Sequence, residues 1–401
     1  MATALLLSMS SFAQQALFDN VPVVSPELNA NHTVTFRLKA PNAQKVQITG
    51  DFLPTKQIDT PVGKYDAPGV ADLVKDDKGV WSFTSTNLSP ELYSYNLLLD
   101  GVKIVDPGSV YITRDITSVT NIFILSDKKG DCGDLYTVNE VPHGNVQKVW
   151  YDSPTLKMQR RMTVYTPAGY DKGKDYPVLY LLHGAGGDED AWTTLGRASQ
   201  ILDNLIATGK AKPMVVVMTN GNPNCQAAPG EWSAGMYVPS FYGYQGAKAV
   251  ATMDESFPDV MNYVESHYKV GKDKAHRAIC GLSMGGGHSF DISRRFPNKF
   301  DYVGLFSAGL HVGKTGDFRA DFYKMLQEDE EAKQQLATLF KNKPKLYWIG
   351  MGKTDFLYKS TAGLRRYFDE KGYKYTYMET EGGHIWRNWR VYLTEFAQKI
   401  F

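Results

Sequence analysis

Residues 280–287 read Cys280-Gly281-Leu282-Ser283-Met284-Gly285-Gly286-Gly287, a glycine-rich stretch around one serine. An apolar run, Arg277-Ala278-Ile279, precedes this stretch, and a helix-like segment follows it. A strand, a sharp turn and a helix in this order are the setting in which Gly-x-Ser-x-Gly holds a serine hydroxyl at the tip of a strained turn. A Cβ at Gly281 or Gly285 would collide where the strand and the helix approach each other. The stretch therefore predicts a nucleophilic Ser283, against the alternative of a glycine-rich turn with an incidental serine.

Composition indicates a globular protein with more than one domain. The chain has 401 residues, of which 43% are hydrophobic and 22% are charged, so it can form two cores. Its formal net charge is +1, and it has neither a basic stripe nor an acidic tail. We therefore expect no nucleic-acid partner and no membrane partner. No His/Cys spacing indicates zinc, and we expect neither a metal nor a cofactor.

Residues 1–15 differ from the rest of the chain. The segment from Ala2 to Ser11 is small and apolar, and Ser11-Phe12-Ala13 followed by Gln14-Gln15 resembles a signal-peptidase site. We expect a signal peptide here, and cleavage after Ala13 would make the protein secreted or periplasmic. No Lys or Arg precedes the apolar run, so a truncated start and a disordered N-terminus stay open as alternatives.

Residues 20–126 show the pattern of short antiparallel strands. Polar and apolar residues alternate in four runs, at 33–38, 46–50, 80–83 and 92–97. Asp76-Asp77-Lys78-Gly79 and Asp100-Gly101 are hairpin signals. Strands at this spacing, with no helical stretch among them, predict an antiparallel β-sandwich. The polar, glycine-containing stretch 127–145 is predicted to be a linker.

Residues 146–401 show a different pattern, in which apolar runs alternate with helical segments. Runs such as 176–182 and 213–218 are apolar on both sides, as in a parallel sheet that is covered by helices on both faces. The segments 256–268, 317–340, 361–371 and 385–401 are predicted to be helical. The predicted fold class is α/β, an open doubly wound sheet preceded by the β-sandwich. Catalytic residues are expected at the carboxyl ends of the strands of such a sheet.

A serine nucleophile needs a base, and His384 is the best-placed histidine. It follows a predicted strand and the loop Thr380-Glu381-Gly382-Gly383, whose glycines let the imidazole approach the serine. Asp355 comes just beyond another predicted strand and is expected to orient His384. The chain order Ser, Asp, His is that of α/β-hydrolases. The alternative acids are Asp301, which precedes its strand, and Asp317, a candidate N-cap.

Two backbone N–H groups are expected to stabilise the oxyanion of a tetrahedral intermediate. One belongs to Met284, the residue after the nucleophile. The other is assigned to Ala185, in the loop His183-Gly184-Ala185-Gly186-Gly187 that follows a predicted strand. Glycines in this loop let the backbone turn its N–H groups inward.

Aromatic residues near the predicted site are candidates for substrate binding. The long loop 220–246 carries Trp232, Tyr237 and Tyr242, and Trp192 lies just past the His183–Gly187 loop. Such rings can stack on a phenolic acyl group or on a sugar ring. The alternative is that they pack the loop onto the body of the protein.

The cysteines, Cys132, Cys225 and Cys280, are odd in number. Cys280 is expected to be a small buried core residue, because it lies in the strand that leads to Ser283. A bridge between Cys132 and Cys225 stays open, since a chain of this size does not need disulfides to hold its core.

Several separated motifs resemble those of the esterase D-like α/β-hydrolases. They are His183-Gly184-Ala185-Gly186-Gly187 with Trp192, Gly281-Leu282-Ser283-Met284-Gly285-Gly286, Asp355, and Gly382-Gly383-His384 with Trp386 and Trp389. Within that group, residues 146–401 resemble carbohydrate esterase family 1, the feruloyl and acetylxylan esterases. The N-terminal part resembles the Ig-like early-set, CBM48-like domains that precede such esterases. The motifs that carry this second resemblance are 35–43, Gly79-Val80-Trp81, Tyr95, Asp100-Gly101 and Asp106-Pro107.

The resemblance implies a serine esterase that removes feruloyl or other hydroxycinnamoyl groups, or acetyl groups, from plant cell-wall xylan. The implied partner is feruloylated or acetylated xylan or oligosaccharide. Enterochelin esterases and mycolyltransferases share the scaffold, so siderophore-ester hydrolysis and acyl transfer are alternatives. Anionic catecholates should attract Arg or Lys, and the aromatic loop is poor in both. A binding protein on an inactive hydrolase scaffold is the non-enzymatic alternative. We also expect that removing the residues before about Ser126 leaves turnover of small soluble esters intact.

Overall fold

Residues 27–125 form two facing antiparallel sheets. The computed structural model describes residues 23–60, 63–238, 249–312 and 321–401. The strands of the first sheet are β1 (Glu27–Leu28), β2 (Val34–Lys39), β7 (Val74–Lys75) and β8 (Val80–Thr84). The strands of the second sheet are β3 (Val46–Gly50), β6 (Gly69–Asp72), β9 (Glu91–Leu99), β10 (Val102–Ile104), β11 (Ile112–Asp115) and β12 (Ser118–Leu125). A separate hairpin pairs β4 (Lys56–Thr60) with β5 (Gly63–Ala67).

Aromatic side chains fill the space between these two sheets. The strand orders are β1-β2-β8-β7 and β11-β12-β9-β3-β6, with β10 paired to β9. Phe36 of β2 packs edge-on against Tyr95 of β9 and Phe123 of β12, with ring centroids 4.7 and 5.7 Å apart. All three rings are buried because alternate residues of each strand face the other sheet. The predicted β-sandwich is therefore observed.

Residues 145–380 contain the eight strands of one mixed sheet. They are β13 (Asn145–Ser153), β14 (Met158–Thr166), β15 (Val178–Leu182), β16 (Val215–Thr219), β17 (Arg277–Leu282), β18 (Tyr302–Phe306), β19 (Leu346–Gly352) and β20 (Thr376–Thr380). Their order is β13-β14-β16-β15-β17-β18-β19-β20. The first two strands are antiparallel to their neighbours and the remaining six run parallel. The predicted strands at 146–151 and 161–165 belong to the antiparallel edge.

Helices cover both faces of this sheet. They are α2 (Ala191–Thr194), α3 (Ala198–Ala207), α4 (Met253–His267), α5 (Met284–Arg295), α6 (Phe322–Glu328), α7 (Glu330–Lys341), α8 (Tyr358–Lys371) and α9 (Trp386–Ala397). One core contains Phe257 of α4 and Phe290 of α5, and the other contains Leu202 of α3 and Phe396 of α9. The predicted doubly wound α/β class is therefore confirmed. No helix in the described ranges is long and apolar enough to cross a membrane.

Two local predictions differ from the structure. The segment predicted as one helix over 317–340 contains two helices, because Asp329 ends α6 and its side chain caps the N-terminus of α7. Residues 313–320 lie outside the described residues. The predicted linker contains a short helix, α1 (Cys132–Tyr136), whose Tyr136 is buried. All three cysteines are free, and Cys280 is fully buried in β17 as predicted.

Arg390 of α9 connects the α/β part of the protein to the N-terminal sandwich. Its guanidinium donates to Glu91 Oε1 at 3.0 Å and to the Leu92 carbonyl at 3.1 Å, both in β9. It also donates to the Leu195 carbonyl at 3.0 Å. Arg390 and Glu91 are only 2% and 6% exposed, so each charge relies on the other.

Replacing Arg390 with alanine should lower the free energy of unfolding by about 3–5 kcal/mol, because the buried Glu91 then keeps only its longer ion pair with Arg387, at 3.8 Å. Urea unfolding measures the change. The matched control is Arg37→Ala, which breaks the partly exposed pair with Glu27 and should cost about 1 kcal/mol or less. Equal losses for the two variants would contradict a structural role for the buried pair.

Candidate active site

Four neighbouring parallel strands end at one edge of the sheet, which we call the carboxyl edge. The strand register aligns one residue near the end of each: Leu282, Phe306, Gly350 and Met378. Ser283, Asp355 and His384 lie in the segments that follow β17, β19 and β20. The fold therefore brings all three predicted catalytic residues to the same edge.

Ser283 occupies the strained turn between β17 and α5. Its φ and ψ are 52° and −115°, a conformation that L-residues rarely adopt. A Cβ on Gly281 would lie 2.6 Å from the Gly285 carbonyl group, so both glycines are sterically required. The Ser283 N–H donates to the Phe306 carbonyl at 2.9 Å, and its own carbonyl accepts from the Gly309 N–H at 2.8 Å. These bonds hold the turn against the end of β18.

His384 is hydrogen-bonded to Asp355. Its Nδ1 lies 2.9 Å from Asp355 Oδ2, and Asp355 is 4% exposed. Because the carboxylate accepts, Nδ1 carries the proton and Nε2 is left with its lone pair. Asp355 Oδ1 also accepts from the Leu357 N–H at 2.9 Å, and the Thr354 N–H donates to the Gly382 carbonyl. The loop that carries Asp355 and the loop that carries His384 are thus hydrogen-bonded to each other.

The alternative acids do not lie in the described site. Asp301 is buried at the start of β18, at the opposite edge of the sheet, where it pairs with Lys274 at 3.0 Å. Asp317 lies outside the described residues.

Two aromatic rings contact the His384 imidazole. The Phe356 ring lies 4.6 Å from it, and the Trp389 ring meets it edge-on at 4.9 Å, measured between centroids. Trp389 is buried, whereas Phe356 and Ile385 are 43% and 39% exposed. Phe356 and Ile385 are not among the predicted site residues, although each is adjacent in sequence to a predicted catalytic residue.

The glycine loop, residues 183–187, lies directly against the serine turn. A Cβ on Gly184 would lie 3.2 Å from Ser283 Cβ and 2.5 Å from Leu282 Cδ1, so a side chain here would push the loop and the turn apart. The buried His183 anchors the loop, since its Nδ1–H donates to the Gly184 carbonyl and its Nε2 accepts from the Gly221 N–H, both at 2.7 Å. Burial lowers the pKa of His183 and favours this neutral form.

The two predicted oxyanion donors are adjacent to the contact between Gly184 and Ser283, since Ala185 follows Gly184 in the chain and Met284 follows Ser283. Met284 is the first residue of α5, where a backbone N–H has no partner within the helix. Ala185 is exposed in the glycine loop. Their positions are compatible with the predicted role, which stays a prediction.

The predicted substrate-binding aromatics have different environments. Trp192 is 1% exposed, its Nε1 donates to the Leu182 carbonyl at 2.9 Å, and its ring packs edge-on against Trp386. The prediction that Trp192 stacks on substrate is therefore wrong, because neither face of its ring reaches solvent. Trp232 is half-buried and Tyr237 is 93% exposed. Tyr242 lies outside the described residues.

A metal site is not formed by the part of the chain that the structure describes. No group of three or more His, Cys, Asp or Glu side chains there is arranged to hold an ion.

The chain is similar to known ester hydrolases in sequence. A family model described as "Putative esterase" matches residues 153–400, more than half of the chain. The chain is 30% identical over 387 residues to an endo-1,4-beta-xylanase/feruloyl esterase of Xylanibacter ruminicola. That match covers 94% of this chain and 46% of the relative, so the chain spans less than half of the relative's length.

Solved structures show the same fold. A ferulic acid esterase aligns with a TM-score of 0.50 and 26% identity, over 65% of this chain and 99% of that chain. The enterobactin esterase of Shigella flexneri aligns with a TM-score of 0.61 and 13% identity, over 91% of this chain and 92% of that chain. The second match therefore extends over both halves of the protein.

Proposed function

The chain belongs to the esterase family, and from this premise we propose that it is a serine carboxylesterase that removes acyl groups from plant cell-wall xylan. The observation that carries the proposal is the hydrogen bond between His384 and the buried Asp355, at the sheet edge that also holds Ser283. A histidine oriented by a carboxylate, near a serine on a strained turn, is the arrangement that activates a hydroxyl nucleophile.

In the proposed reaction, Ser283 Oγ attacks the ester carbonyl carbon and His384 Nε2 accepts the hydroxyl proton. The tetrahedral intermediate collapses when that proton passes to the leaving alcohol oxygen and the carbon–oxygen bond breaks, which leaves an acyl-serine. A water molecule then attacks the acyl carbon and gives its proton to His384. The proton returns to Ser283 Oγ as the carboxylic acid is released. Asp355 stays ionised throughout and stabilises the imidazolium.

The oxyanion is stabilised by the backbone N–H groups of Met284 and Ala185 in this proposal. The close approach of Gly184 to Ser283 and the position of Met284 at the start of α5 support the assignment. The loss of one such donor typically costs about 10²–10³-fold in rate.

The proposed acyl group is a hydroxycinnamate such as ferulate, with acetate as the second choice. The relative and the solved structure named above are a xylanase/feruloyl esterase and a ferulic acid esterase. Phe356 is 43% exposed beside the imidazole, and stacked aromatic pairs contribute about 0.5–1.5 kcal/mol beyond burial. Trp232, Tyr237 and Tyr242 are proposed as further substrate contacts, and feruloylated or acetylated xylan as the partner.

Export follows from the same proposal, because plant cell-wall xylan lies outside the cell. Residues 1–15 are proposed to direct secretion or transfer to the periplasm. They lie outside the described residues.

Siderophore-ester hydrolysis is the second candidate. The enterobactin esterase of Shigella flexneri shares the fold over both halves of this chain, which favours a common architecture. An anionic catecholate ester should be attracted by Arg or Lys and a feruloylated sugar by aromatic rings, so the two candidates predict different substrate preferences.

Replacing Asp355 with asparagine should lower kcat on methyl ferulate by about 10²–10⁴-fold, because the amide favours the wrong tautomer of His384. The matched control is Asp273→Asn, which alters an exposed aspartate that pairs with His276 at 3.0 Å and should leave kcat unchanged. Ser283→Ala should abolish turnover. Full activity in Asp355→Asn or Ser283→Ala, with an unchanged melting temperature, would mean that the residue has no part in the reaction.

Substrate preference distinguishes the candidate functions. We expect kcat/KM for methyl ferulate to exceed that for a catecholate triester by about tenfold or more, because residues 220–246 contain no Arg or Lys that would attract an anionic catecholate. Acetate release from acetylated xylan is measured in the same series. A preference for the catecholate triester would transfer the proposal to siderophore hydrolysis, and no turnover of any ester would contradict it.

A further inference from the structure

The tip of one N-terminal hairpin reaches the loops that hold the proposed catalytic residues. Strands β11 and β12 are joined by the two-residue turn Ile116-Thr117. From its contacts we propose that Arg114, Asp115 and Ile116 are positioning residues for ester hydrolysis, so that the N-terminal sandwich forms part of the active site. The inference rests on the proposed function, and it assigns a role in the reaction to residues far from the catalytic ones in sequence.

Ile116 packs against the backbone of the glycine loop. A Cβ on Gly186 would lie 2.9 Å from both Cγ1 and Cγ2 of Ile116, so the branched side chain lies directly on the Gly186 Cα. Gly186 has a φ of +80°, a conformation that glycine adopts readily and that a loop without support can leave. The contact therefore limits the conformations of the loop that carries the proposed oxyanion donor Ala185.

Arg114 forms an ion pair at the end of the same loop. Its guanidinium contacts Asp188 Oδ2 at 2.5 Å, and Asp188 is 2% exposed. Asp188 Oδ1 also accepts from the Asp190 N–H at 3.0 Å. Because a buried carboxylate needs a partner, this ion pair holds the residue that follows the glycine loop in one position.

Asp115 contacts the segment that follows His384. Its carboxylate lies beside the indole of Trp386, which partly offsets the rise that burial causes in the pKa of Asp115. The Trp386 ring packs edge-on against Trp389 at 5.2 Å between centroids, and Trp389 in turn contacts the imidazole of His384. Three consecutive hairpin residues thus hold both the proposed oxyanion loop and the proposed base.

The backbone of Ile116 is strained for a residue with a branched side chain. Its φ is +54°, which is unfavourable for a β-branched residue. Two-residue hairpin turns that need a positive φ usually use Gly, Asn or Asp. Local structure would therefore favour glycine here, and the contact that isoleucine adds is the one with Gly186. Strained residues of this kind cluster at functional sites.

If the hairpin holds the glycine loop, removing the N-terminal region lowers turnover of small esters, which is the opposite of the expectation from the sequence. A hairpin that holds the glycine loop affects the chemical step on every substrate, whereas a module that only binds polysaccharide affects insoluble xylan alone.

The test compares substitutions at Ile116 in the full chain. Ile116→Gly removes the contact and relieves the positive φ, so kcat on methyl ferulate should fall tenfold or more while KM and the melting temperature change little. Ile116→Val keeps both Cγ atoms and should retain near wild-type kcat. The matched turn control is Asp100→Gly, at the turn of the β9–β10 hairpin, where φ is +48°. This substitution should leave kcat on methyl ferulate unchanged. Arg114→Ala should also lower kcat, with Arg37→Ala as its control.

A second measurement does not depend on turnover. Hydrogen exchange of the amides in residues 184–188 should be faster in Ile116→Gly and Arg114→Ala than in the wild type and the controls. Equal exchange and equal kcat in Ile116→Gly and Ile116→Val would overturn the inference. A wild type that hydrolyses no ester would instead contradict the proposed function, and the exchange rates would still decide whether the hairpin holds the loop.

Discussion

Parallel pairing of β17, β18, β19 and β20 is the constraint on which the site depends. The strands are neighbours in the sheet although long segments separate them in the chain, so their carboxyl ends meet at one edge. A shift of one strand by a single residue would move the loop that follows it by about 3.3 Å, more than the His384–Asp355 hydrogen bond tolerates. β17 and β18 are buried on both faces, and the side chains packed there hold this register.

The second constraint is the contact between the sandwich and the α/β sheet. Leu92 of β9 and Ile122 of β12 belong to the same buried cluster as the side chains of α3 and α9, so the two halves share a core. Arg390 and Glu91 add a buried ion pair to this contact. The β11–β12 hairpin that contacts the glycine loop therefore belongs to a sandwich that is packed tightly against the α/β sheet, and not to a domain on a flexible linker. This distinguishes the arrangement from that of a catalytic domain with a freely attached binding module.

Much of this architecture is visible in the sequence because its signals are local. The serine turn needs glycines at fixed offsets from Ser283, and Asp355 and His384 follow recognisable strands. The environment of Trp192 is not visible, because its partner, the Leu182 carbonyl, becomes its neighbour only when the chain turns back after β15. The break between α6 and α7 was missed because Asp329 fits a helical pattern until its side chain caps the next helix. The contact of Ile116 with Gly186 depends on the packing of one half on the other, which strand and helix patterns do not encode.

Ser283, His384 and Asp355 are proposed to act together as an activated nucleophile. Covalent labelling of the serine is the most direct measurement of this. The full-length protein is treated with a small fluorophosphonate, digested, and analysed by peptide mass spectrometry, alongside a His384→Ala variant. If His384 activates Ser283, we expect one adduct, on Ser283, which forms far more slowly in the variant because the base is absent. An adduct on another residue, or equal labelling rates in the two proteins, would contradict it.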